Sequence, residues 1–213
     1  MGDKRTTGVP VQYTGRHSDV EETRTFNTVE LARDAFRTGC NRLKDINNWA
    51  VFSKGLTAEF ALVDGNGAIL RRAPAPGDYI RIDLPGPGTS QGDGYDWVQI
   101  ESVEETGSAD SDEQQLIIRV RPSENPYSTN QQHTATTQED PAHFFNSKAT
   151  STFLLHRLAN KITAGVHGRN EETSAPESTL DNIRNKMVSS LAALGAARLQ
   201  WKNLCEGILG SIS

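Results

Sequence analysis

A change in hydrophobic period is the feature that most constrains the fold of this chain. Between residues 56 and 170, apolar side chains recur at every second position in six segments. A period of two predicts strands with one apolar and one polar face, which is typical of an antiparallel sheet. The segments are LTAEFALVD (56–64), DYIRIDL (78–84), DWVQIESVEE (96–105), QLIIRVR (115–121), TSTFLLHR (150–157) and NKITAGVHGRN (160–170).

Helical patterns flank the predicted strands. After a short β-leaning stretch, VEETRTFN (20–27), Asn27 and Glu30 have the spacing of an N-terminal capping pair. Gly39 is the predicted end of this helix, and LKDINNWAVF (43–52) predicts a second, shorter one. The apolar stripe of the first helix consists of Val29, Leu31 or Ala32, Ala35 and Phe36.

The last predicted element is a long amphipathic helix over 179–209. Its apolar residues recur at spacings of three, four and seven, so that stripe must be buried against another element. It is the element long and apolar enough to cover the sheet. The stripe consists of Leu180, Ile183, Met187, Leu191, Leu194, Trp201, Leu204 and Ile208.

The order of elements therefore predicts an α+β helix-grip fold. It comprises a curved antiparallel sheet of about seven strands, in the order β-α-α-β6-α, wrapped on the long C-terminal helix. This order resembles the START-like superfamily, also called SRPBCC proteins, over about residues 20–210. Trp49 is a local similarity, because an aromatic residue often ends the second helix in that family. Residues 1–19 are polar and rich in Gly and Thr, which predicts a flexible N-terminal arm. The resemblance implies a single START-like domain over 20–213.

One face of the predicted sheet consists entirely of apolar side chains. General acid–base catalysis needs a titratable group at the reacting atom, and this wall supplies no carboxylate, histidine or cysteine. The pattern therefore favours a binding protein over an enzyme, although a completely filled core is an open alternative. The inward positions are Ala58, Phe60, Leu62, Ile80, Ile82, Leu84, Val98, Ile100, Leu116, Ile118, Val120, Phe153, Leu155, Ile162, Ala164 and Val166.

The START-like resemblance implies that a lipid or polyketide-like molecule binds between the sheet and the last helix. The polar cluster HGRNEE (167–172) could hold its head, or it could be a strand-end network in which Arg169 pairs with Glu171 or Glu172. Two long connections, 85–96 and 122–148, would shape the mouth. The candidate ligand-binding residues are Phe60, Ile82, Ile100, Ile118, Phe145, Phe153, His167, Arg169, Asn170, Met187 and Leu191.

Two other classes of function stay open. The polyketide cyclase branch of the family implies an enzyme that would depend on His156, His167 and Arg169. The third class is a non-catalytic interaction module with a filled core. We predict no catalytic residue, no cofactor and no metal site, since a histidine pair without an acidic third ligand is weak evidence for zinc.

The outer face of the sheet carries arginines and aromatic residues. Arg81, Arg119 and Arg121 are predicted to form cross-strand ion pairs on a solvated surface, with an anion- or partner-binding patch as the alternative. Tyr79 and Trp97 are predicted on the same face, and exposed aromatic residues are enriched at interfaces. A homodimer through this face is therefore an open prediction.

Composition limits the partners and the compartment. The net charge of −5 gives no general affinity for nucleic acid. No segment reaches the roughly 18 apolar residues of a membrane span, and the N-terminus lacks the apolar core of a signal peptide. Cys40 and Cys205 are far apart in sequence and form neither a metal motif nor a disulfide framework. We therefore expect a cytoplasmic protein without integral membrane association.

Overall fold

The chain forms one antiparallel sheet with helices on its concave side. A computed structural model describes residues 8–53, 58–83, 94–126, 148–172 and 198–210. Its elements are β1 (Arg16–Thr25), α1 (Val29–Lys44), a 3-10 turn (Ile46–Asn48), α2 (Trp49–Phe52), β2 (Glu59–Val63), β3 (Tyr79–Asp83), β4 (Asp96–Thr106), β5 (Glu113–Pro122), β6 (Thr150–Leu158), β7 (Lys161–Glu171) and the helical residues 198–209, called α3 here.

The seven strands of the sheet follow the order β1-β7-β6-β5-β4-β3-β2. Every neighbouring pair is antiparallel, and the first strand of the chain lies beside the last. Together with the position of α3, this order confirms the predicted helix-grip fold. The part of the C-terminal helix predicted for 179–197 lies outside the described residues, as do most residues of the two long connections.

The predicted phase of the strands is confirmed along the inner wall. Phe153 and Leu155 both point into the main core, as expected for β6. Ile82 is partly buried against that core, and Leu84 lies outside the described residues. The helices and the 3-10 turn pack their apolar residues against this wall, and these residues are buried. They are Ala32, Phe36, Cys40, Leu43, Ile46, Trp49, Leu204, Cys205 and Ile208.

Two predicted details of α1 are wrong. The N-cap is Thr28 rather than Asn27, because Thr28 has extended backbone angles and its hydroxyl accepts a hydrogen bond from the Leu31 amide at 3.2 Å. The helix also continues through Gly39 to Lys44. Gly39 is buried in the middle of α1, where a Cβ atom would lie 2.8 Å from Leu155 Cδ2. The glycine thus permits close packing on β6 instead of ending the helix.

The outer face of the sheet is partly buried, which corrects the expectation of a solvated surface. Strand β1 begins at Arg16, and residues 8–15, the N-terminal segment, contact β5 and β7. The Gly8 carbonyl accepts a hydrogen bond from Arg119 at 2.7 Å, and Gly8 also packs on Ile117. Asn170 Oδ1 accepts from the Tyr13 amide at 2.7 Å.

A second, smaller apolar cluster also lies outside the main core. Trp97 is 1% exposed and packs with Val63, and Tyr79 and Tyr95 pack against this pair. The homodimer prediction relied on an exposed Trp97, and this side chain is buried. The homodimer itself stays a prediction.

Two arginines fix the C-terminal end of α3. Arg42 of α1 donates to the carbonyl of Gly207 at 3.1 Å, and Arg24 of β1 donates to that of Gly210 at the same distance. Cations at this end complement both the free carbonyls and the helix dipole. The last turn of α3 is thereby held from two separate elements.

Gly207 supplies a test of the contact between α3 and α2. A Cβ at this position would overlap the Phe52 carbonyl oxygen, which is backbone and cannot rotate away. We expect Gly207→Ala to lower the free energy of unfolding by about 1–3 kcal/mol, although alanine favours helices. Urea unfolding measures this change, with Lys202→Ala on the exposed side of α3 as the control. An increase in stability for Gly207→Ala would contradict the contact.

Candidate functional site

Four aromatic side chains meet at the centre of the apolar interior. Trp49 lies with its ring centroid 4.6 Å from that of Phe153 and 5.4 Å from that of Phe60. Trp201 of α3 completes the group, at 5.6 Å from Phe153 and 5.9 Å from Phe60. Such tilted and edge-on pairs are favourable arrangements for aromatic rings. This aromatic cluster, Trp49, Phe60, Phe153 and Trp201, joins two strands to α2 and α3.

An open cleft runs between β1 and the first described turn of α3. Its volume is about 490 Å³, and its lining is formed by Asp19, Val20, Glu21, Glu22, Arg198, Leu199 and Lys202. Ligand sites commonly have a volume of roughly 300–1,000 Å³. Val20 and Leu199 provide apolar surface, while Lys202 lies 3.9 Å from Glu22 across the cleft. The cleft therefore combines a narrow apolar strip with charged sides.

One ionisable residue of β6, Arg157, follows the inward phase of Phe153 and Leu155. It is fully buried, and its guanidinium donates to Gln114 Oε1 at 2.8 Å, to the Ala159 carbonyl at 2.7 Å and to the Ser111 carbonyl. Burial, aided by the nearby Arg33, lowers the pKa of this guanidinium. The alternation of β6 indicates an inward Arg157, but its oxygen partners come from β5 and from two turns, β4–β5 and β6–β7, which the alternation does not locate.

The predicted ligand-binding residues divide into three groups. Four of them, Phe60, Ile100, Ile118 and Phe153, are buried in the inner wall, and Ile82 packs against it. His167, Arg169 and Asn170 lie at the β1–β7 end of the sheet. The residues outside the described part of the chain are Phe145, Met187 and Leu191.

His167 lies on the outer face, because strand alternation puts it opposite to the inward Val166. Its Nδ1 is 2.7 Å from Asp19 Oδ1. Partial burial tends to raise the pKa of Asp19, but hydrogen bonds and charge from His167 and Arg169 lower it below its ordinary value of 3.8. Asp19 is therefore an ionised carboxylate that accepts a hydrogen bond from His167 Nδ1–H.

Arg169 and Asn170 also form hydrogen bonds or ion pairs with other residues of the protein. Arg169 Nη1 lies 2.8 Å from Asp19 Oδ1 and donates to the Gly168 carbonyl at 2.7 Å. Asn170 has a positive φ of 56° and binds the N-terminal segment through its side chain. These contacts resemble the predicted strand-end network more than a set of unpaired polar groups that could hold the head of a ligand. However, the partner of Arg169 is Asp19 rather than Glu171 or Glu172.

Glu171 lies beside the same network. Burial raises the pKa of its carboxyl above the ordinary value of 4.5, even though the Ser18 hydroxyl donates to it at 2.8 Å. Two carboxyl groups at the β1–β7 end, Asp19 and Glu171, thus have pKa values displaced in opposite directions.

The residues of the enzyme alternative do not meet on the inner wall. His156 lies on the outer side of β6, where its Nε2 is 2.8 Å from Glu113 Oε1. It pairs across β6 and β7 with Thr163, whereas His167 pairs with Thr152, so the two histidines are separated along the sheet. Within the described ranges, no group of three side chains is arranged to bind a metal ion.

No protein-family model matches the chain. A search of curated proteins likewise found no match. The described helices also include none with the length and hydropathy needed to cross a bilayer.

Solved structures do match the chain, at low identity. A hypothetical protein from Helicobacter pylori is 10% identical with a TM-score of 0.48, and the match covers 94% of this chain and 97% of that one. Truncated norcoclaurine synthase from Thalictrum flavum is 9% identical, with a TM-score of 0.41 and coverage of 95% and 100%. A START superfamily protein from Mycobacterium smegmatis is 11% identical, with a TM-score of 0.35 and coverage of 87% and 98%.

The class of fold follows from the chain's own geometry. Seven antiparallel strands in the order above, with α1, α2 and α3 on one face, form the α+β helix-grip arrangement that the START-like resemblance implies. At these identities and TM-scores, the matched structures do not specify a ligand, an activity or a partner for this chain.

Asp19 makes a prediction about stability in acid. Because its pKa in the folded state lies below 3.8, the ionised group stabilises the fold above that pH. The contribution disappears as the pH falls through the lower, folded-state pKa. We expect Asp19→Asn to lower the free energy of unfolding at pH 6, and this difference from the wild type to shrink towards pH 3. Urea unfolding across this range measures it.

Glu171 should show the opposite change in stability with pH, because its pKa is raised where that of Asp19 is lowered. Its pKa in the folded state lies above 4.5, so its contribution is fully present below pH 4.5 and is lost as the pH rises through the raised value. We therefore expect Glu171→Gln to increase the free energy of unfolding at pH 6 and to have little effect at pH 3. Equal signs for the two variants at pH 6 would contradict this account of the network.

Proposed function

We propose that this protein binds a hydrophobic small molecule, lipid-like or polyketide-like, between the sheet and the C-terminal helix. The observation that carries the proposal is the inner wall, in which apolar side chains from β2 to β7 form one continuous surface. Burial of apolar surface is the main source of affinity for such a ligand. Phe60, Ile82, Ile100, Ile118 and Phe153 are the wall residues that we expect to contact it.

The cleft beside β1 supports a route to this wall. Val20 and Leu199 give it apolar surface, and Leu199 is exposed although it is a large aliphatic residue. Arg198 and Lys202 place two cations on its helix side. The carboxylates of Asp19, Glu21 and Glu22 lie on its β1 side. We infer that the ligand is amphipathic, with its apolar body inside and a polar head among these charged groups. The polar head would then lie at the cleft rather than at His167, Arg169 and Asn170.

Binding is a better account of this geometry than catalysis. Arg157, an ionisable residue of β6 that faces the inner wall, is fully engaged by protein oxygens. Residues of the cyclase-like alternative, His156 and His167, point to the outer face and have carboxylate partners there. The apolar wall therefore offers a surface for holding a ligand but no evident group for moving a proton.

The proposal includes one domain over residues 20–213 and a cytoplasmic location. Both cysteines, Cys40 and Cys205, are free and buried, which is the usual state of thiols in a reducing compartment. Burial raises the pKa of each thiol to about 12, so neither is activated as a nucleophile.

The positions of the three tryptophans allow a direct test of the ligand site. Trp49 and Trp201 belong to the aromatic cluster, whereas Trp97 lies in the separate outer cluster. A dibrominated fatty acid quenches tryptophan fluorescence only over short distances. We expect saturable quenching that persists in Trp97→Phe, because the inner tryptophans are the ones near the ligand. Trp201→Phe should lose a large part of it.

Two controls complete this experiment. The unbrominated fatty acid should compete with the brominated one, and native mass spectrometry should show one ligand per chain. Far-ultraviolet circular dichroism checks that each variant remains folded. Absence of saturable quenching, or quenching that disappears only in Trp97→Phe, would refute a ligand site between the sheet and α3.

A further inference from the structure

A row of polar residues crosses the outer face of the sheet. Ser102 of β4 lies opposite Arg119 of β5, Arg119 lies opposite Thr152 of β6, and Thr152 lies opposite His167 of β7. Directly opposed residues project from the same side of a sheet. These four residues, the polar row, therefore form a continuous line of polar groups on the face away from the proposed hydrophobic ligand.

Each member of the polar row has a buried polar atom without a hydrogen-bond partner. The atoms are Ser102 Oγ, Arg119 Nε, Thr152 Oγ1 and His167 Nε2, and the last of these lies 3.5 Å from Glu21 Oε1. Thr152 is completely buried and His167 is 1% exposed. Buried polar groups are nearly always hydrogen-bonded, so the three other atoms, in adjacent residues, require an explanation. An isolated defect in packing would not repeat across three strands.

A β-bulge in β4 puts Ser102 into this row. The register of β4 against β5 shifts between Ile100 and Ser102, and Val103 then lies opposite the inward Ile118. Regular alternation from Ile100 would turn Ser102 towards the apolar core. The extra residue, Glu101, turns it outward instead, because a bulge adds one residue to one strand. The Ser102 hydroxyl therefore lies on the same face as Arg119, and the pairing of β4 with β5 is irregular at this point.

Arg119 is the charged centre of the row and differs from the other two arginines on this face. Arg121 Nε lies 2.5 Å from Glu101 Oε1, and Arg81 stacks 4.6 Å from the centre of the Tyr95 ring. Arg119 donates to the Gly8 carbonyl, but no carboxylate among the described residues pairs with it. A partly buried cation with no counter-charge favours an anionic partner.

The unpartnered atoms of Ser102, Arg119 and Thr152 can all donate a hydrogen bond. Ser102 and Thr152 are two strand spacings apart, about 9–10 Å. Arg119 lies between them, directly opposite both. His167 is not part of the seat, because its Nε2 lies over Gly165, where a Cβ would be 2.6 Å away.

We propose that Ser102, Arg119 and Thr152 bind an oxyanion, either free phosphate or the phosphate of a lipid headgroup, on the outer face of the sheet. The guanidinium supplies the charge, and the hydroxyls on the two neighbouring strands flank it as further donors. This site is separate from the apolar interior and does not depend on the function proposed above.

Phosphate titrations test the site at constant ionic strength, with chloride making up the difference. We expect inorganic phosphate to raise the melting temperature saturably and to shift the amide resonances of Ser102, Arg119 and Thr152. A ligand that binds the native state stabilises it by RT ln(1 + [L]/Kd), where [L] is the free ligand concentration. The Arg119→Gln variant should bind about tenfold more weakly or worse, because it loses a charge-assisted hydrogen bond. Arg121→Gln is the matched control on the same strand and face, and should retain the affinity.

Substitutions of Thr152 separate binding from folding. Thr152→Val removes the hydroxyl at similar volume and should weaken phosphate binding, while Thr152→Ser keeps the hydroxyl and should retain it. If Thr152→Val folds, becomes more stable and binds phosphate as tightly as the wild type, the row is only a packing defect and the proposal is wrong. An equal effect of chloride would overturn it too.

A short-chain phosphatidic acid below its micelle concentration distinguishes the two sources of phosphate. Tighter binding of this lipid than of inorganic phosphate, sensitive to Arg119→Gln, assigns the site to a headgroup. Equal binding of both assigns it to free phosphate. Failure of both probes to bind overturns the proposal. Quenching of Trp49 and Trp201 by the fatty acid measures binding on the inner face of the sheet. Either proposal can therefore be refuted while the other stands.

Discussion

β1 pairs with β7 from Arg16 opposite Glu171 to Thr25 opposite Lys161, and this contact joins the start of the chain to the end of the sheet. Several other features depend on it. It brings Asp19 to His167 and carries Arg24 to the end of α3. It also directs the N-terminal segment across the outer face and forms one side of the cleft. Loss of this pairing would therefore affect both faces of the sheet.

The two faces of the sheet are buried in different ways. The inner wall is apolar, and contacts with α1, α2 and α3 exclude water from it. On the outer face, apolar residues such as Ile117 and Leu154 lie beside the polar row. Polar groups in such surroundings are costly unless they find partners. The inner face is thus suited to shape and hydrophobic contact, and the outer face to charge and hydrogen bonding.

Much of the fold follows from periodicity, because alternation defines both the strands and their inward phase. The sequence does not predict the surroundings of a residue that packs against a part of the chain distant in sequence. Gly39 resembles a helix end unless its neighbour Leu155 is known, and Trp97 looks exposed unless its outer cluster is known. The bulge before Ser102 has no signature in the sequence, so the polar row could not be predicted. Arg157 could have been placed by phase alone.

The attachment of α3 at one end has a mechanical consequence. Arg24 and Arg42 bind the carbonyls of its last turn from two elements, while the cleft borders its first described turn at Arg198 and Leu199. Within the described part of α3, Arg198 and Leu199 lie farther from these two arginines than any other residue of the helix. A small rotation of the described helix about the arginine contacts therefore displaces these two residues most, beside β1. The width of the cleft and the position of Trp201 would then change together.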